Sequence, residues 1–106
     1  MVKTMDLTVR ERLMMGAFFP QKGSMRDQRV ARDIGRKIFI SDGERAEIDF
    51  VQDKDGIKWD GTKAKELAVE LNDDERDFLK RQVGRLDEEE AYTQDLLALA
   101  ERIKEL

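Results

Sequence analysis

The sequence predicts an α+β fold: two N-terminal helices, a small three-stranded antiparallel sheet and two C-terminal helices, in a single domain spanning residues 1–106. Three observations predict it. Helix-capping residues stand at Thr8, Ser24, Asn72 and Thr93. Between Ile48 and Leu71 the apolar period changes from helical spacing to alternation by two. An Asp55-Gly56 pair then supplies a tight-turn signal inside that stretch.

Each element follows in order. Thr8-Val9-Arg10-Glu11 is a capping box, so a helix is expected from about Val9 to Phe19, where Pro20 stops it. Ser24 caps a second helix, and Asp27 favours its positive end. Val30, Ala31, Ile34 and Ile38 share its apolar face. Ile48 and Phe50, then Ile57 and Trp59, then Leu67, Val69 and Leu71 alternate with polar residues and read as three strands with one buried face. Asn72-Asp73-Asp74-Glu75 starts a third helix, with Phe78, Leu79, Val83 and Leu86 facing inward. Thr93 caps a fourth, along which Leu96, Leu99, Ala100, Ile103 and Leu106 form a stripe.

Composition limits the chemistry. Of 106 residues, 40% are hydrophobic and 42% charged, a lean interior under a highly charged surface. There is no Cys, so disulfides and thiolate metal sites are excluded. There is no His, which removes the commonest general base and transition-metal ligand. Met1–Asp6 carries no apolar run of signal-peptide length, and no stretch approaches a membrane span. A cytoplasmic protein without membrane association is therefore expected.

Charge is distributed unevenly. Residues 1–40 hold nine Lys/Arg and four Asp/Glu, a balance of +5; residues 41–106 hold eleven and twenty, a balance of −9. Either the two halves attract each other within one fold, or a basic surface faces an acidic partner.

Four constellations were candidates for chemistry. Asp53, Asp55 and Asp60 suggest a calcium turn, but the EF-hand register places Val51 or Gly56 where the first acid belongs. Carboxylates are abundant but sit at caps, turns and polar helix faces, with nothing to mark a buried catalytic pair. Gly16, Gly23, Gly35 and Gly43 match no phosphate-cradling fingerprint, and Ser24 and Ser41 lack a His partner. No catalytic residue, metal ligand or cofactor site is therefore expected, and the chain reads as a non-enzyme.

Two surface features remain. Arg29, Arg32 and Arg36 fall within about 60° of one another on the second helix, a stripe that can grip nucleic-acid phosphates or pair with carboxylates of the same chain. Apolar residues wrap the end of the first helix. Met14, Met15, Phe18 and Phe19 there make either a central core helix or a contact surface for a protein partner or a second copy. On a regular helix, Met15 and Phe19 point away from the face of Val9, Leu13 and Ala17.

The opening Leu7-Thr8-Val9-Arg10-Glu11-Arg12-Leu13, followed by Phe19-Pro20 and Gly23, resembles the start of a family of short uncharacterised proteins encoded in phage and prophage genomes. The likeness continues through an arginine-bearing helix, a Trp near Trp59, the acidic start at Asn72 and a leucine-bearing last helix. It implies an accessory or interaction protein acting in the host cytoplasm, and it transfers no catalytic residue. Phe18-Phe19 stands where aliphatic residues are commoner in the family.

Without Cys, His or a matching oxygen-ligand loop, folding should be independent of divalent cations. Thermal melts with excess chelator and with added calcium are expected to coincide; a shift of several degrees on adding calcium would contradict this.

Overall fold

The structure is a computed structural model, and it describes residues 2–106. The described elements are β1 (Lys3–Leu7), α1 (Val9–Met14), a 3₁₀ turn (Met15–Phe18), α2 (Met25–Ile38), α3 (Asp42–Glu47), β2 (Val51–Asp53), β3 (Gly56–Lys58), β4 (Leu67–Leu71), α4 (Asp73–Glu88) and α5 (Gln94–Lys104). The class is α+β, with the strands in two separate two-stranded sheets.

The three-stranded meander is not formed. β4 pairs antiparallel with β1, with Met5 opposite Val69 and Leu7 opposite Leu67. Met5, Leu7, Val69 and Leu71 turn one face of this ladder into the core, while Thr4, Asp6, Ala68 and Glu70 face solvent. β2 and β3 form their own hairpin, in register Val51–Lys58 and Asp53–Gly56. Its turn is the expected Asp55-Gly56, with Gly56 at φ 121° and the Asp53 carboxylate accepting from the Asp55 N–H at 2.8 Å. The hairpin has no buried face, because Val51 and Ile57 are both exposed. It therefore cannot share a core-facing sheet with β4.

The helices depart from the expected layout at two points. Ser41, not foreseen as a cap, accepts from the Glu44 N–H and starts α3. Ile48, expected in a strand, ends that helix and is buried, and Asp49 follows in the left-handed region at φ 54°. The first helix also tightens. After Met14 it winds as a 3₁₀ turn, and Phe19 becomes extended at φ −99°, ψ 111°. Pro20 accounts for the last step, since the residue before a proline is pushed out of the helical region.

Two clusters form the interior. The larger packs α2, α4, α5 and the 3₁₀ turn on the β1–β4 ladder, with Phe18, Ile34, Phe78, Leu79, Leu99 and Ile103 at its centre. The smaller joins Val9, Ile40 and Ile48, with Phe50, Trp59 and Ala64 packed against it. Trp59 was expected on the buried face of the sheet beside Ile57. Instead Ile57 is 40% exposed, and Trp59 is half-buried, stacked on Phe50 at 6.5 Å between ring centres.

Polar staples close the assembly. Arg12 is 4% exposed. It donates to the Ile38 carbonyl at 3.0 Å, to the Phe39 carbonyl at 2.8 Å and to both carboxylate oxygens of Glu44. Glu75 is also buried. It completes the Asn72 capping box and accepts from Lys37 at 2.6 Å, while Lys37 also donates to the Glu70 carbonyl. Glu11 caps the Thr8 N–H and meets Arg102 of α5. Burial pushes the Glu11 carboxyl up, but the Thr8 N–H and Arg102 outweigh this and hold it below its ordinary value.

Arg12→Ala should cost about 3–5 kcal/mol, because it leaves Glu44 and two carbonyls without their partner. Urea unfolding measures this, and an unchanged midpoint would refute the staple. Trp59→Ala should cost about 1–2 kcal/mol, well under the about 3–5 kcal/mol expected for Phe78→Ala in the same assay. Equal losses at the two positions would mean that the minor cluster is as consequential as the main core.

Candidate interaction surface

α1, the 3₁₀ turn and the end of α2 leave a groove between them of about 260 Å³. Leu13, Gly16 and Phe19 line it on one side, and Gly35, Ile38 and Phe39 on the other. Phe39 is 65% exposed, and Leu13 is also exposed. The backbone explains Phe39. It follows the last residue of α2 at φ −59°, ψ 136°, so the chain leaves the helix there with the ring outside the core.

Space is left open on both sides of the groove. A Cβ built on Gly16 or on Gly35 would meet no atom within 4 Å. Gly35 lies inside a helix, where glycine costs about 0.5–1 kcal/mol relative to alanine. Nothing in the packing of the chain requires that cost.

The electrostatics are one-sided. Among the described residues, the groove lining holds two arginines and no carboxylate. The charge of Arg12 is met by Glu44. Arg45 donates to the Ile40 carbonyl and lies 4.9 Å over the Phe50 ring, with no ion-pair partner among the described residues.

The arginine stripe borders the same groove. Measured around α2 from Gly35, Phe39 lies at about 40°, Arg32 at about 60°, Arg36 at about 100° and Arg29 at about 120°. All three arginines are exposed. Arg29 donates to the Met25 sulfur at 3.1 Å, and Arg32 stands 3.9 Å from Asp33. Arg36 has no ion-pair partner among the described residues. Asp27, about 160° round the helix from Arg29, is clasped by Arg81 of α4 through two hydrogen bonds of 3.0 and 2.9 Å. That hydrogen bonding holds the Asp27 carboxyl below its ordinary value.

The four apolar residues singled out at the end of the first helix divide. Met15 is 1% exposed and Phe18 0%, so both belong to the main core and cannot meet a partner. Met14 and Phe19 are half-buried against that core, and Phe19 lines the groove. The reason is the 3₁₀ winding. At three residues per turn, positions 15 and 18 eclipse, so Met15 faces inward with Phe18. Gly35, Phe39 and Arg45 were not singled out from sequence. One signal was there: Phe39 is a large apolar residue on the arginine side of an otherwise amphipathic helix.

A second groove, of about 420 Å³, runs between α4 and α5 beside Val83, Gly84 and Leu97. Lys80, Lys104, Asp87 and Glu101 line it with both signs of charge, so it offers a partner no net complementarity. No group of three or more metal-ligating side chains occurs among the described residues, and no helix among them is long and apolar enough to cross a membrane. Comparison with protein-family models, curated proteins and solved structures finds no match to this chain.

Because the Gly35 site is open, Gly35→Ala should stabilise the fold by about 0.5–1 kcal/mol. A rise in denaturant midpoint is expected; a fall would show that the groove is closed to a methyl group.

Proposed function

We propose that this chain is a non-enzymatic phage or prophage accessory protein that acts through protein–protein contact, with the groove between Leu13 and Phe39 as its contact surface. One observation carries the reading: two exposed apolar side chains flank two glycines that have no packing role inside the chain. Exposed apolar surface of this kind, rimmed by polar groups, marks interaction sites. The absence of His and Cys from the sequence leaves carboxylates as the main acid–base groups. The buried one, Glu75, is engaged by a helix cap and by Lys37. The phage setting is supported by the resemblance carried by Leu7–Leu13.

A second reading, nucleic-acid binding by Arg29, Arg32 and Arg36, is favoured by the exposure of those side chains. Against it stand the net charge of −4 and the apolar character of the groove that the stripe borders.

The test compares the parent with Phe39→Glu in affinity purification from phage-infected cells, with light scattering for self-association. Phe39 is exposed, so the variant should keep the parent's melting temperature. A retained protein, or a self-assembly, that the variant loses would support the reading. Identical retention by both proteins, or tight salt-dependent DNA binding abolished by Arg32→Glu with Arg36→Glu, would overturn it.

A further inference from the structure

Resting on the reading of the groove as a protein-contact site, we propose that its occupant is an acidic segment of another protein, inserting one large apolar side chain between Gly16 and Gly35. Without a Cβ at Gly16 or Gly35, the slot leaves room for an aromatic or branched aliphatic side chain, and both glycines open onto free space. Leu13, Phe19 and Phe39 would flank it with apolar surface.

Arg10, Arg12 and Arg26 of the N-terminal half are answered by Asp95, Glu44 and Asp74. Arg36 and Arg45 have no carboxylate partner among the described residues, and Arg32 meets Asp33 only at 3.9 Å. Arg45 lines the groove, and Arg32 and Arg36 belong to the stripe that borders it. Asp33, about 40° round the helix from Arg29, offsets part of the stripe, while Asp27 faces α4 and is held by Arg81. The groove and its border therefore carry a local positive balance on a chain of net charge −4. A carboxylate-rich segment would find guanidinium groups beside an apolar slot, an arrangement that gives both affinity and orientation. A nucleic acid would use the arginines but leave the apolar slot unfilled.

The probe is a displayed library of random short peptides, selected on the parent protein and counter-selected on Gly35→Leu. Selected peptides are synthesised and titrated by fluorescence anisotropy against the parent, Gly35→Leu and Arg32→Glu with Arg36→Glu. Melting curves confirm that each variant folds. The expected peptides are net acidic with at least one large apolar residue. Each variant should bind them about tenfold or more weakly, a loss of roughly 1.4 kcal/mol, and added salt should weaken the parent's binding. Peptides that need Gly35 but show no acidic bias would overturn the acidic partner and leave the contact surface standing. No peptide dependent on Gly35 would remove both. A dimer of the parent dispersed by Gly35→Leu would make a second copy the occupant and refute the proposal. Arginine-dependent DNA binding tighter than any peptide would refute it in favour of nucleic acid.

Discussion

Arg12 carries a full positive charge into a position where only 4% of the residue meets solvent, so protein oxygens must replace the water it loses. They do so from two directions. The Ile38 and Phe39 carbonyls lie at the C-terminal end of α2, where the helix dipole is negative and orphan carbonyls need donors. Glu44 lies in the first turn of α3, where the dipole is positive and a carboxylate is favoured. One guanidinium thus satisfies a helix end, orients the next helix and fixes the distance between α1 and the tail of α2. That distance is the width of the groove.

Part of the uneven charge of the chain acts inside the fold. Arg12–Glu44, Lys37–Glu75, Arg10–Asp95, Arg26–Asp74 and Asp27–Arg81 each join a residue of the first forty to one of the remainder. Their contributions differ greatly. The Arg10–Asp95 and Arg26–Asp74 pairs are exposed on both sides, where an ion pair contributes about 0–1 kcal/mol. Arg12 and Glu75 are buried, where loss of a partner strands a charge. Attraction between the halves and a basic surface facing outward are therefore compatible: Arg10, Arg12, Arg26 and Lys37 serve the first, and Arg32, Arg36 and Arg45 remain for the second.

Local signals in the sequence were reliable where a side chain acts on its own backbone. The capping boxes at Thr8 and Asn72, the caps at Ser24 and Thr93 and the turn at Asp55-Gly56 all form as their residues indicate. Longer-range features were not legible. β1 shows only Met5 and Leu7 as an alternating pair, and its partner β4 lies some sixty residues away, so no local turn announces the ladder. The short α3 hid behind Gly43, a poor helix residue, although Ser41 and Glu44 have the spacing of a cap signal. The assignment of Met15 as outward assumed 100° per residue; the 3₁₀ winding turns about 120° and brings it in. At the groove, the arginine stripe was visible as a pattern, but its neighbours Leu13, Gly16 and Arg45 come from other elements and meet it only in the folded chain.

Phe39 stands where the Arg12 staple, the end of α2 and the groove meet. Arg12 takes the Phe39 carbonyl, which holds the chain in the extended turn that ends α2. Ile38 before it and Ile40 after it are buried, one in each cluster. Along an extended segment neighbouring side chains point to opposite sides, so anchoring Ile38 and Ile40 inward sends Phe39 outward. The exposed ring is thus a geometric consequence of the bond that closes the core. Geometry dictates that some side chain stand there; it does not dictate an aromatic one. A polar residue would serve the fold equally well and would lower the risk of aggregation that exposed aromatics bring. The same holds one turn earlier at Gly35, where alanine would make the better helix. Two adjacent positions therefore depart from the choice that stability alone favours, and both departures open the same groove.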